Sequence, residues 1–139
     1  MDDFEVLKSE IRTCQICDGL PLGPNPIVRG QVSARILVAG QAPGIRVHKT
    51  GIPFNDPSGV RLREWMGIDD SVFYDESKIA IIPMGFCYPG TGKSGDLPPR
   101  KECAQTWHEK VLKSLPNIQL VLAIGQYSQN YHLGASQKK

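Results

Sequence analysis

The chain opens MDDFE, without the basic start and apolar stretch of an export signal, and no apolar run approaches the ~20 residues a spanning helix needs. The expectation is a cytoplasmic protein with no membrane partner. A dominant charge is missing too: 16 Lys and Arg stand against 14 Asp and Glu, a formal net charge of +2. So small an excess gives weak general attraction to polyanions, and any nucleic-acid surface must be a local patch. Cysteine is scarce, with four in the chain. In a reducing compartment, four such residues point to metal ligands or plain thiols rather than disulfides. There is no internal repeat or low-complexity segment, and 139 residues read as one domain, 1–139, large enough for a real core.

Two phosphate-binding signatures are incomplete. CYPGTGKSGD (87–96) ends like a triphosphate-cradling loop, but that loop reads G-x-x-x-x-G-K-S/T, and Cys87 stands where its first glycine belongs. A helix must also start at the Lys-Ser to aim its N-terminal dipole at the anion. Gly95, Asp96, Leu97, Pro98 and Pro99 follow instead. GQAPG (40–44) lacks the G-x-G-x-x-G spacing of a dinucleotide fingerprint. No nucleotide triphosphate is expected as a partner, and the cysteine in glycine's place is the better clue.

What is present is an alternation of elements. Residues 3–13 set Phe4, Leu7 and Ile11 at helical spacing, then hand over through Cys14-Gln-Ile-Cys17 to a Gly/Pro-rich loop. Residues 34–39 (ARILVA), 78–86 (KIAIIPMGF) and 119–124 (QLVLAI) are short apolar runs, the pattern of central parallel strands buried on both faces. Between them, residues 58–66 offer Val60, Leu62, Trp65 and Met66 as an inward helix face, with Ser58 as N-cap after Pro57. Residues 100–115 form a longer helix with Cys103, Trp107, Val111, Leu112 and Leu115 on one side, and 126–133 read as one more helix. This order predicts an α/β layered domain with a parallel sheet. Ligands then bind at the carboxyl ends of the strands, in the loops opening with Gly40, Gly85 and Gly125. A three-stranded sheet leaves an edge that a fourth strand normally covers, so a last strand is expected to be missing from this chain.

Cys14 and Cys17 form a C-x-x-C pair that can converge on one metal centre, and Cys87 and Cys103 flank the glycine-rich loop with fifteen residues between them. Cys87 ends a strand and Cys103 opens a helix, so both can reach one sheet edge. The reading is a shared site of four thiolates, against the alternative that the second pair are small buried apolar residues. Zinc and an iron–sulphur cubane both take four thiolates, so ligand count leaves the choice of metal open.

The loop 50–59 (TGIPFNDPSG) presents an aromatic ring beside an amide and a carboxylate. Phe54 can stack on a flat heterocycle, Asn55 can offer donor and acceptor, and Asp56 can polarise a water. A core phenylalanine followed by a helix-capping turn is the alternative.

Taken in order, GQAPG after the first strand, TGIPFNDPSG leading into a helix, the four cysteines and the strand QLVLAIG resemble the uracil-DNA glycosylase superfamily. The likeness is greatest to its iron–sulphur, family-4-like branch, and runs from about residue 11 to 134. The resemblance implies a three-layer α/β/α sandwich with a central parallel sheet. It also implies an enzyme of DNA repair that flips a damaged base, uracil first, out of DNA and hydrolyses its N-glycosidic bond. Cys14, Cys17, Cys87 and Cys103 would hold a 4Fe–4S cluster, with zinc as the alternative. Phe54 would stack on the base, with Asn55 beside it, while the backbone of Gly40, Gln41, Ala42, Pro43 and Gly44 faces base and sugar. Gln41 replaces the family's Glu, and His48 lies where the branch has acidic residues, so water activation would pass to Asp56 or His48, with Asp56 preferred. The loop between Cys87 and Cys103 would present Lys93, Ser94, Arg100 and Lys101 to a DNA backbone. Two departures stand out: Pro83 replaces the branch's base-reading Asn, and no histidine motif similar to HPS follows the third strand. A non-catalytic, metal-stapled nucleic-acid-binding domain on the same fold is therefore the alternative function.

Overall fold

The computed structural model describes residues 2–17, 19–93 and 95–133. In chain order these form α1 (Asp3–Arg12), β1 (Ile36–Ala39), α2 (Ile45–Thr50), α3 (Pro57–Met66), α4 (Asp70–Phe73) and β2 (Ile79–Ile81). There follow a short antiparallel ribbon of β3 (Thr91–Gly92) and β4 (Gly95–Asp96), then α5 (Lys101–Lys113), β5 (Leu120–Ala123) and α6 (Gln126–Leu133).

The sheet is parallel, in the order β2-β1-β5, with Leu37 opposite both Ala80 and Val121. Because strand side chains alternate, its two faces build separate cores. Leu37, Ala80 and Ile82 pack with Phe4 and Ile11 of α1 and with Trp107 and Val111 of α5. Val38, Ile79 and Ile81 pack with Phe73, and Leu62, Met66 and Leu122 lean on that second core. Helices therefore cover both faces of one parallel sheet, which is the three-layer α/β/α sandwich. Among the described residues, no helix is long and apolar enough to cross a membrane.

Several elements depart from the sequence reading. β2 spans three residues rather than nine, because Pro83 has no N–H to give a ladder. Past it the chain runs along the loop after β1 instead, Met84 donating to the Gly40 carbonyl at 2.9 Å and Gly85 to that of Gln41 at 2.8 Å. β5 is not buried on both faces: Leu120 is 50% and Val121 39% exposed. Its outer position in the strand order explains this, since no further strand pairs with it among the described residues. The other edge is covered, as Arg29 bridges antiparallel to Ile81 of β2.

α3 is capped by Asp56 rather than Ser58, with Pro57 in the first turn, where its missing N–H costs nothing. The helix buries Gly59 and Arg63, leaving Val60 exposed and Trp65 77% exposed. The short helices α2 and α4 were not foreseen; α4 is set by Asp69, whose carboxylate accepts the Val72 amide at 3.1 Å.

Candidate functional site

A cavity of ≈ 220 Å³ opens where β1 and β5 end. At roughly 30 Å³ per water in the liquid, that suits a single heterocyclic ring rather than a drug-sized ligand. One wall is Gly40, Gln41, Ala42, Pro43 and Gly44. Pro53 and Phe54 stand in a second wall, Ile81 and Pro83 come from the end of β2, and Asp56 and Ser58 also line it. The apolar members Ile27, Val47 and Ile124 went unread as lining. The available signal was the general rule that strand ends meet at such a site.

Phe54 is set by backbone geometry. Its φ of 58° is the one positive value outside glycine among the described residues. Its ring tip reaches Gly40, where an added Cβ would lie 3.2 Å from the ring Cζ. Behind it, Phe73 meets the ring edge to face at a centroid distance of 5.8 Å. Below it, Gly59 leaves space for the Phe54 carbonyl, since a Cβ there would fall 1.8 Å from that oxygen.

The Gln41 amide is engaged elsewhere. Its Oε1 accepts the Tyr127 N–H at 3.0 Å, tying the loop after β1 to the first turn of α6. Gly125, at φ 90°, is needed beside it, for a Cβ would sit 2.5 Å from the Gln41 Cδ. Asp56 serves as a cap: its Oδ1 accepts the Gly59 amide at 2.9 Å and the Ser58 hydroxyl at 2.7 Å. Asn55 does not line the cavity; it borders a shallower outer depression with Arg46, Pro57 and Arg63. His48 lies outside the lining as well, its ring tilted against Tyr88 at 6.1 Å. Residues 40–44, Phe54 and Asp56 thus come together, while Asn55 and His48 stand apart from them.

A histidine of α5, His108, supports the cavity lining at Pro83. It is fully buried, stacked on Phe86 at 5.1 Å, with Nε2 2.8 Å from the Pro83 carbonyl oxygen. Burial pushes its imidazole down to about 4, so the ring is neutral near pH 7 and Nε2 carries the donated proton. The cavity floor at Pro83 is held from behind by this bond. His132 of α6 is half-buried.

The four cysteines line one small cavity, with Leu20, Pro24, Pro26 and Phe86 among its other walls. None is in a disulfide. Cys103 Sγ accepts the Phe86 N–H at 3.2 Å, and Cys14 Sγ accepts the Trp107 indole N–H at 3.4 Å. Burial pushes the Cys103 thiol up to about 12, and the sulphurs of Cys17, Cys87 and Cys14 act in the same direction. The Cys87 thiol is raised by burial first and then by Cys14 and Cys17. Four thiolates here require a cationic centre between them. Among the described residues, no group of three or more His, Cys, Asp or Glu side chains is gathered tightly enough for a metal ion. The cysteines ring a space rather than a point.

Of the residues expected to face DNA, Lys93 and Lys101 are exposed. Arg100 is half-buried, borders the cysteine cavity and pairs with Glu102 at 3.0 Å. Ser94 lies outside the described residues. The ribbon bearing Lys93 leans on the other site: a Cβ on Gly44 would lie 3.3 Å from an Asp96 carboxylate oxygen.

Comparison with known proteins bears on this arrangement. Residues 27–139 match the family model described as the uracil DNA glycosylase superfamily. The chain is also 24% identical over 132 residues to the type-4 uracil-DNA glycosylase of Sulfurisphaera tokodaii. That match covers 94% of this chain and 58% of the relative, so the chain spans under two thirds of that protein's length.

Proposed function

This chain belongs to the uracil-DNA glycosylase superfamily, and from that premise we propose that it hydrolyses the N-glycosidic bond of a damaged base, uracil first, flipped out of DNA. The observation that carries the reading is Phe54, held at a left-handed backbone angle with its ring tip against Gly40, in the lining of a ring-sized cavity that residues 40–44 share. Flipping is required because the bond is inaccessible within the stack, and a mispaired base costs least to extrude. Phe54 stacks on the extruded base, and the loop after β1 faces base and sugar. A carboxylate near the sugar would stabilise its developing positive charge and orient water. Asp56 is assigned that role over His48 because Asp56 lines the cavity.

Cys14, Cys17, Cys87 and Cys103 would hold a 4Fe–4S cluster, whose contribution is to cross-link the end of α1 to the segment that carries the β3–β4 ribbon. Four sulphurs ringing a cavity support a multinuclear centre. A lone zinc would need all four within about 2.3 Å of one ion.

One observation favours a second reading, a non-catalytic nucleic-acid-binding domain. Asp56 is the one ionisable side chain in the cavity lining, and its Oδ1 is already occupied by the cap. A labelled oligonucleotide with a single uracil separates the two. The glycosylase reading expects alkali-labile abasic product, formed about tenfold or more slowly by Phe54→Ala, since a base–aromatic stack is lost. DNA retained on a gel with no abasic product would establish the binder instead.

A further inference from the structure

Phe54 holds a backbone conformation that a bulky residue avoids, and such conformations persist only when the surroundings over-determine them. The surroundings here are specific. Tyr74 Oη donates to the Pro53 carbonyl at 2.6 Å, and Arg63 Nη1 donates to the Phe54 carbonyl at 3.1 Å. The same Nη1 lies 3.3 Å from Tyr74 Oη, so one pair of linked donors catches two consecutive carbonyls. An extended Phe54 would send those carbonyls to opposite sides; the left-handed turn presents both to the same pair.

The donors are themselves fixed. Arg63 is buried, its Nε pairs with Asp70 at 2.7 Å, and its guanidinium carbon sits 5.2 Å from the Phe73 ring centre and 5.5 Å from that of Tyr74. Phe73 in turn backs the Phe54 ring. Neither Arg63 nor Tyr74 lines the base cavity. A buried cation that has Asp70 as its counter-charge and spends its remaining contacts on the Phe54 carbonyl, Tyr74 and the backing Phe73 ties the stacking residue to α3.

We propose that Arg63 and Tyr74 are positioning residues, a clamp on the Pro53–Phe54 backbone that keeps the Phe54 ring presented as a platform for the extruded base. The proposal rests on the glycosylase reading for the identity of what stacks, but the clamp is measurable without turnover.

The test uses the full chain carrying 4-fluorophenylalanine, which gives a fluorine resonance for each of its four phenylalanines. Phe54→Ala identifies the Phe54 signal by its loss. In Tyr74→Phe, whose labelled ring at position 74 adds a fifth resonance and puts fluorine where the donating hydroxyl stood, the Phe54 signal should move toward the solvent-exposed position and broaden, with Phe73 following, while Phe4 and Phe86 stay in place. Arg63→Lys, which keeps the charge but loses the planar fork, should do the same. On the uracil oligonucleotide each variant should lower kcat/KM about tenfold, and add nothing further in the Phe54→Ala background.

An unmoved Phe54 resonance overturns the clamp, as does a loss that adds fully to that of Phe54→Ala. Loss of the Phe4 and Phe86 signals together with those of Phe54 and Phe73 in Tyr74→Phe also overturns it, since the contact would then serve the whole fold. If the parent chain releases no base, the glycosylase reading fails by itself and the resonances still decide the clamp.

Discussion

At the scale of single residues, the site depends on what is left out. Gly59 lies in the first turn of α3, where alanine would ordinarily be the better helix former. Here a methyl group would be driven to 1.8 Å from the Phe54 carbonyl oxygen, and backbone cannot yield as a flexible side chain can. Gly59→Ala should therefore destabilise the protein by about 2 kcal/mol despite its helix propensity, read as a lower urea midpoint at unchanged m. A midpoint equal to or above the parent's would mean that the Phe54 turn is not seated on this glycine. Phe54 itself could be nominated only from the ordered set of motifs, because TGIPFNDPSG alone reads as well as a core phenylalanine before a helix-capping turn, and the ring does lean on the second core. Its φ could not, since the angle is imposed by Gly59, Arg63 and Tyr74, which are near it only after folding. Asp56 carries two sequence readings, a carboxylate that polarises water and part of a helix-capping turn. That it caps α3 follows from Pro57, which fits the first helical position and so puts the cap at Asp56, two residues earlier than the sequence reading of Ser58.

At the scale of elements, the three apolar runs and the amphipathic α1 and α5 were legible because local periodicity and burial agree. Edge and centre were not, because strand order is a tertiary property: QLVLAI reads like a buried strand, yet β5 sits outermost. The short α2 and α4 escaped because few residues leave no period to detect. Cysteine spacing reached across elements better than periodicity did, since it named four residues that line one cavity from the end of α1, the chain after β2 and the start of α5. If they hold a cluster, Cys87→Ser should lose most of the iron, acid-labile sulphide and broad visible absorbance of the purified chain. The β3–β4 segment of the variant should also become a preferred site of limited proteolysis, because the loop would be released at one end. A parent chain with neither iron nor sulphide by elemental analysis would remove the cluster, and one zinc per chain would replace it.

For the molecule as a whole, the question is how a chain with a net charge of only +2 would bind DNA. The answer cannot be a uniform field, so it must rest on where cations stand relative to the cavity. The ribbon that begins beside the cysteine cavity ends with Asp96 against Gly44, and Lys93 stands exposed in the turn between its two strands. Lys101 stands exposed at the start of α5, on the far arm of the same segment. Arg100 is a weaker candidate, its charge already opposed by Glu102. If the two lysines contact phosphates, Lys93→Ala with Lys101→Ala should weaken oligonucleotide binding alike for uracil-containing and normal sequences, because such contacts position without specifying. Each lost contact should also flatten the slope of log K against log salt by about one. Fluorescence anisotropy over a salt series measures both effects. A uniform loss of affinity with an unchanged salt slope would show that these lysines shape the ribbon and do not meet the phosphates. A loss confined to uracil-containing DNA would place them at the base instead.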